Sequence, residues 1–274
     1  MTTIASLSIY PVKSMKGVSV QSAEVDLIGL AGDRRWMVVD ENGKFQTIRQ
    51  HFELSQIEAF EVDDMLRVAH PSRGTIIVGV PGASAPTSIV TIWRSEVEAR
   101  HASDESSTFL SDIFGRKVRL VYLENVAGRA VNPKYSTPGD HVSFADGYPI
   151  LLASEASLQD LEVRVGFDLD MRRFRPNIVV TGVEPWVEDT WRRIQIGAVQ
   201  FRVARPCGRC VVTTLDPDTG ATAPANEPLA TLGKMHRASD GEIIFGQNLI
   251  SDGPGRISVG DELAVLESGP SNLL

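Results

Sequence analysis

The first hundred residues alternate apolar and polar positions in short runs broken by turn residues, the period-two pattern of strands buried on one face. Ile4-Ala5-Ser6-Leu7-Ser8-Ile9-Tyr10 predicts a strand that Pro11 ends. Val18 to Leu27, Arg35 to Asp40 and Lys44 to Ile48 continue the pattern, and Glu41-Asn42-Gly43 predicts a hairpin between the last two. Leu66 to Ala69, Thr75 to Val80 and Ile89 to Trp93 add short strands. Together they predict a β-barrel or sandwich.

The period then lengthens. From Asp104, Phe109, Leu110, Ile113 and Phe114 fall on one helical face, with Ser103 as a cap and Gly115 as a stop. Val118 to Leu123 returns to strand. Ser154 to Val165 predicts a second helix with Leu158, Leu161 and Val165 in one stripe and Gly166 at its end. Strands follow at Asn177 to Thr181, Arg193 to Ile196, Val199 to Ala204 and Val211 to Leu215. A short helix is expected near Leu229 to His236 and a last strand at Ile257 to Leu263. The fold class is thus mainly β with a few helices (α+β). The Gly- and Asn-bearing stretch Glu124 to Lys134 separates an expected domain at 1–120 from one at 125–270.

Charge narrows the partners. With 35 acidic against 27 basic residues the chain carries a net charge of −8, which repels polyanions, so no nucleic-acid polymer is expected. No apolar run approaches the ~18 residues that span a bilayer, and the first ten residues lack the features of a secretory signal. The expected location is cytoplasmic, without a membrane partner.

The two cysteines of the chain both fall in Ala204-Arg205-Pro206-Cys207-Gly208-Arg209-Cys210-Val211-Val212-Thr213-Thr214. The C-x-x-C spacing by itself suits a thiol redox pair, half a zinc site, or nothing chemical at all, and a soft metal needing one protein thiolate is weighed beside these. Redox pairs favour a helix start, whereas the β-branched run after Cys210 predicts a strand. A zinc site needs four ligands, and His51, His70, His101, His141 and His236 are scattered singly. A metal whose cofactor brings its own sulfurs needs only one thiolate, and Arg205 and Arg209 are expected to lower the thiol pKa values.

At this point the residues resemble a known family. Tyr10-Pro11-Val12-Lys13-Ser14, Gly32-Asp33-Arg34-Arg35-Trp36, Phe174-Arg175-Pro176-Asn177-Ile178, Cys207-Gly208-Arg209-Cys210 and Asp216-Pro217-Asp218-Thr219-Gly220 are similar, in this order, to the amidoxime-reducing components. That resemblance implies an N-terminal MOSC β-barrel domain packed on a C-terminal MOSC β-barrel domain. It also implies molybdenum held by Cys210 and by the dithiolene of a pterin cofactor. Lys13, Ser14, Arg34, Gly147, Tyr148, Arg175, Asn177, Gly208, Arg209 and Cys210 are the implied cofactor contacts. Gly147 and Tyr148 depart from the animal proteins, which carry small hydroxyl residues there.

The implied activity is reduction of N-hydroxylated compounds, namely amidoximes, hydroxylamines and N-hydroxylated bases. Two cysteines cannot hold an iron-sulfur cluster and no G-x-G-x-x-G opens a helix, so a separate flavin or iron-sulfur protein is the expected electron donor. The rival expectation is a cofactor carrier or sulfur-transfer module, because MOSC domains also end molybdenum-cofactor sulfurases.

Overall fold

The computed structural model describes residues 1–63 and 65–273. Strands dominate, in curled sheets that form half-barrels, and the described residues include three α-helices. Two of the helices form where their caps predict. In α1, Asp104–Phe114, the Ser103 hydroxyl accepts the Ser106 amide at 3.2 Å and Gly115 closes the helix at φ 63°. In α2, Glu155–Val165, Ser154 caps Ser157 and Gly166 (φ 88°) returns its amide to the Glu162 carbonyl. Leu110 of α1 is fully buried against Trp36, Val38 and Leu120. Leu158 and Leu161 of α2 pack on Phe174 and Phe245. The third helix, α3, spans Leu229–Met235.

The largest sheet has eight strands in the order Leu263–Ser268, Trp191–Ile196, Val199–Gly208, Ile244–Ser251, Ile150–Ser154, Ile178–Thr181, Thr3–Ile9 and Val18–Val20. Ile150–Ser154 and Ile178–Thr181 run parallel, with α2 in the connection between them, as parallel neighbours require. Thr3–Ile9 pairs with Ile178–Thr181, so the N-terminal residues complete the sheet of the C-terminal half. One core follows, in which Ile4 and Leu7 pack with Ile178, Phe201 and Ile257.

A four-stranded sheet orders Trp36–Asp40, Val118–Tyr122, Ser95–His101 and Thr87–Ile92. Two three-stranded sheets complete the molecule. No described helix is long and apolar enough to cross a membrane.

Four expected strands change form. Val211–Thr214 is a 3-10 turn instead, because the Thr213 hydroxyl bonds back to the Cys210 carbonyl at 3.0 Å and the Thr214 hydroxyl to that of Val211 at 2.8 Å. These local bonds outweigh the β preference of branched side chains. Val18 to Leu27 breaks at Gln21, and Ile257 to Leu263 breaks at the Val259–Glu262 turn. In each case the two pieces pair with different strands. Of Lys44 to Ile48, only Lys44 and Phe45 make strand-like bridges.

Candidate active site

The eight-stranded sheet and the N-terminal half enclose a cavity of about 440 Å³. Lys13, Ser14, Arg34, Gly147, Tyr148, Arg175, Asn177, Gly208, Arg209 and Cys210, scattered over nearly two hundred positions, all line it. The lining also includes Arg49, Arg173 and Arg205, giving seven cationic side chains against the two carboxylates of Asp146 and Glu242. In a chain of net charge −8, this is a local inversion of sign, and a concave low-dielectric wall strengthens the field of such a cluster.

The floor is built around Asp33, 1% exposed. Its carboxylate accepts the Tyr10 amide at 2.8 Å, the Arg34 Nη1 at 2.6 Å and the Asn177 Nδ2 at 2.9 Å. Asn177 gives its other N–H to the Ser8 carbonyl, while its oxygen accepts the Leu151 amide and Arg34 Nη1, both at 3.1 Å. Its hydrogen-bonding capacity is therefore filled by the protein. What Asn177 does here is hold Arg34.

Arg175 donates to the Met15 carbonyl at 2.7 Å, and burial pushes its guanidinium down to about 10, still cationic at neutral pH. Arg34 and Arg175 both lie over the Tyr10 ring, at 4.4 and 4.2 Å from its centroid.

Lys13 is buried and donates to the Phe144 carbonyl at 2.9 Å and to Asp146 at 2.5 Å. Burial lowers its pKa, which Asp146 opposes. Burial pushes the Asp146 carboxyl up, but Lys13, the Trp93 indole N–H and Arg49 hold it well below the usual carboxylate range. The buried Arg129 donates to the carbonyls of Ser143, Ala145 and Asp146 and so fixes this loop. A Cβ built on Gly147 meets nothing within 4 Å, so a small side chain fits there. Tyr148 is half-buried, its phenol pushed up to about 12 by burial.

Ser14 (φ 70°), Arg34 (φ 49°), Trp93 (φ 54°) and Arg175 (φ 53°) adopt left-handed backbone. For non-glycine residues this costs about 1 to 2 kcal/mol each and persists where the surroundings over-determine it, commonly at functional sites.

The two cysteines differ. Burial pushes the Cys207 thiol up, a net effect opposite to that expected from Arg205 and Arg209, both of which act to lower it. Arg205 instead pairs with Glu242 at 2.7 Å. Arg209 gives three hydrogen bonds to the Phe174 and Phe245 carbonyls. Cys210 caps the 3-10 turn and accepts from Arg49 Nε at 3.3 Å. Among the described residues no group of three or more His, Cys, Asp and Glu side chains converges for a metal ion. A metal at Cys210 must bring its other ligands with it.

Arg49, Trp93, Asp146, Arg129 and Arg173 were not among the residues singled out from the sequence. Each is an ordinary polar or aromatic position until the fold brings it to the cavity or its loop.

The family model described as the MOSC N-terminal beta barrel domain matches residues 1–117, and that of the MOSC domain matches residues 139–264. The chain is 35% identical to mitochondrial amidoxime-reducing component 1 of Mus musculus over 282 residues, covering 96% of this chain and 82% of that one. The human protein of that name is 33% identical, with 96% and 83% covered. Human mitochondrial amidoxime reducing component 2 is 35% identical, with 87% and 73% covered.

Proposed function

Because the chain belongs to the family of two-domain MOSC proteins that includes the mitochondrial amidoxime-reducing components, we propose that it is a molybdenum-cofactor-dependent reductase of N-hydroxylated compounds. Its substrates are amidoximes, hydroxylamines and N-hydroxylated bases. A separate flavin or iron-sulfur protein delivers the electrons. The carrying observation is the Cys210 thiol, together with that of Cys207, at the wall of a cavity with seven cationic side chains and two carboxylates.

The donor set fits the cofactor. Its phosphate is an anion, suited to the fixed forks of Arg34 and Arg175 and to Lys13. Its pterin is polar and planar, suited to backbone groups at Ser14, Gly147, Tyr148 and Gly208. Cys210 offers the one thiolate that a dithiolene-bound metal leaves to the protein. When bound, the group supplies two-electron redox chemistry, by which an N–OH compound with two electrons and two protons gives N–H and water.

The chain's own part is placement and field. Asp33 and Asn177 hold Arg34, Arg209 ties the cysteine segment to Phe174 and Phe245, and Asp146 keeps an ionised carboxylate facing the cavity for a hydrogen-bond donor of the substrate.

The test is molybdenum content and amidoxime reduction, with a chemically reduced viologen as donor, for protein made in cells that produce the cofactor. Close to one molybdenum per chain is expected, kept in Cys207→Ser and lost in Cys210→Ser. Turnover should fall more than about 100-fold in the latter, beyond the range that changes behind a ligand produce. Absence of molybdenum from every sample would overturn the reading. Metal without turnover would leave a carrier.

A further inference from the structure

The arginines next to the cysteines in sequence are engaged elsewhere, Arg205 by Glu242 and Arg209 by main-chain carbonyls. The guanidinium that touches the Cys210 sulfur comes from 161 positions away, where Arg49 Nε lies 3.3 Å from Sγ. Among the described residues Arg49 forms no ion pair; its charge acts on the sulfur it touches and, from further off, on Asp146, whose carboxyl it helps hold down.

An exposed arginine would ordinarily sample many rotamers and hold nothing. This one lies on the Trp93 ring, 4.8 Å from its centroid. Trp93 is itself clamped, by Phe45 at 4.9 Å and by its indole N–H to Asp146 at 3.2 Å. It sits in the turn between Thr87–Ile92 and Ser95–His101, at φ 54° and 40% exposed. A bulky aromatic residue in left-handed backbone is an outlier that its surroundings must impose. What these contacts keep in place is the ring face under Arg49.

We propose that Arg49, laid on Trp93, is the positioning residue for Cys210: a cation lent by the N-terminal half that fixes the direction of the sulfur and makes the potential around it positive. The inference deepens the reading in which Cys210 is the metal's ligand, and rests on it for its meaning. In these terms the N-terminal half reaches into the chemistry of the C-terminal half through one side chain. Trp93 acts one step further out, by holding Arg49.

The test uses full-length protein without cofactor, carrying Cys207→Ser so that one thiol remains. Alkylation of Cys210 by anionic iodoacetate and by neutral iodoacetamide is followed by mass spectrometry. The ratio of the two rates reports local potential independently of how much of the thiol is ionised. Arg49→Gln should lower that ratio about 3- to 10-fold, the effect of removing one unit charge a few ångströms away at near-water screening. Arg49→Lys should restore most of it. Trp93→Ala should lower it part of the way and Trp93→Phe should keep it, since a ring face survives.

An unchanged ratio in Arg49→Gln, or a loss in Trp93→Ala alone, would overturn the proposal. Arg49 is exposed, so its variants are expected to fold, and near-ultraviolet circular dichroism checks that they do. Because no metal or turnover enters the measurement, a lowered ratio in a protein that never takes up molybdenum would refute the metal reading and leave this placement standing.

Discussion

Two buried polar networks lie in this molecule, and they are finished differently. At the cavity floor, Asp33, Arg34 and Asn177 pair one another and the nearby backbone, and the surplus charge is positive and faces the cavity. Beneath α2 and α3, His236 gives Nε2 to Asp189 at 2.7 Å and Nδ1 to the Ile244 carbonyl at 2.9 Å, while Gln247 donates to the other Asp189 oxygen at 2.7 Å. Beside them Glu188, 1% exposed, accepts the Ser157 hydroxyl on one oxygen and leaves the other buried and unpartnered.

The difference is instructive. A network that serves a charged ligand saturates its anchors and leaves an excess of one sign to be met from outside. A closed network must balance itself, and where it falls short a group titrates instead.

The largest effect that would break this contrast is expected from Asp33→Ala. It strands the Arg34 guanidinium, the Asn177 amide and the Tyr10 N–H together, and should cost about 3 to 5 kcal/mol in denaturant unfolding. A loss below 1 kcal/mol would mean that the floor is not held by its carboxylate.

Next comes Glu188→Gln. Burial pushes the Glu188 carboxyl from 4.5 up to about 7. Its folded value lies above its unfolded one, so it costs nothing below pH 4.5 and progressively more as pH rises to about 7. His236 moves in the same sense. Burial opposes its charge, but Asp189 and the Ile244 carbonyl raise its pKa above 6.5, so its contribution is present below pH 6.5 and lost as pH rises further. Wild-type stability should therefore fall from pH 5 to pH 8. Glu188→Gln should regain about 2 to 3 kcal/mol at pH 8 and nothing at pH 4, read from unfolding curves at the two pH values. Parallel pH profiles for the two proteins would show that Glu188 does not titrate.

The smallest effect is expected from Gly147→Ser. Its Cβ meets open space, so stability should stay within about 0.5 kcal/mol of wild type. A larger loss would place Gly147 among the anchors and blur the distinction between floor and rim.

How much of this was legible beforehand varies with range. The ends of α1 and α2 could be read because Ser103 with Gly115, and Ser154 with Gly166, act through bonds a few residues away. Ile150–Ser154 carries no such signal, because all five residues are buried and no alternation marks them. After Cys210 the β-branched run predicts a strand, but threonine hydroxyls, which β propensity does not count, satisfy the backbone locally and give a turn. Lys13, Arg34 and Cys210 could be picked out by their resemblance to a family. Arg49 and Trp93 could not, because their chemistry comes from a partner far along the chain.

The pairing of Thr3–Ile9 with Ile178–Thr181 bears on how the protein is made. Leu7 meets Ile178, which leaves the ribosome about 170 positions later. At roughly 5 to 20 residues per second that is a wait of about 10 to 30 seconds. During it, a strand bearing Ile4 and Leu7 has Val18–Val20 on one side but an open edge on the other, and the segment matched as the first barrel cannot close alone into the form seen here. Synthesis rate and chaperone access over that interval, rather than final stability, should decide how much chain reaches the native state.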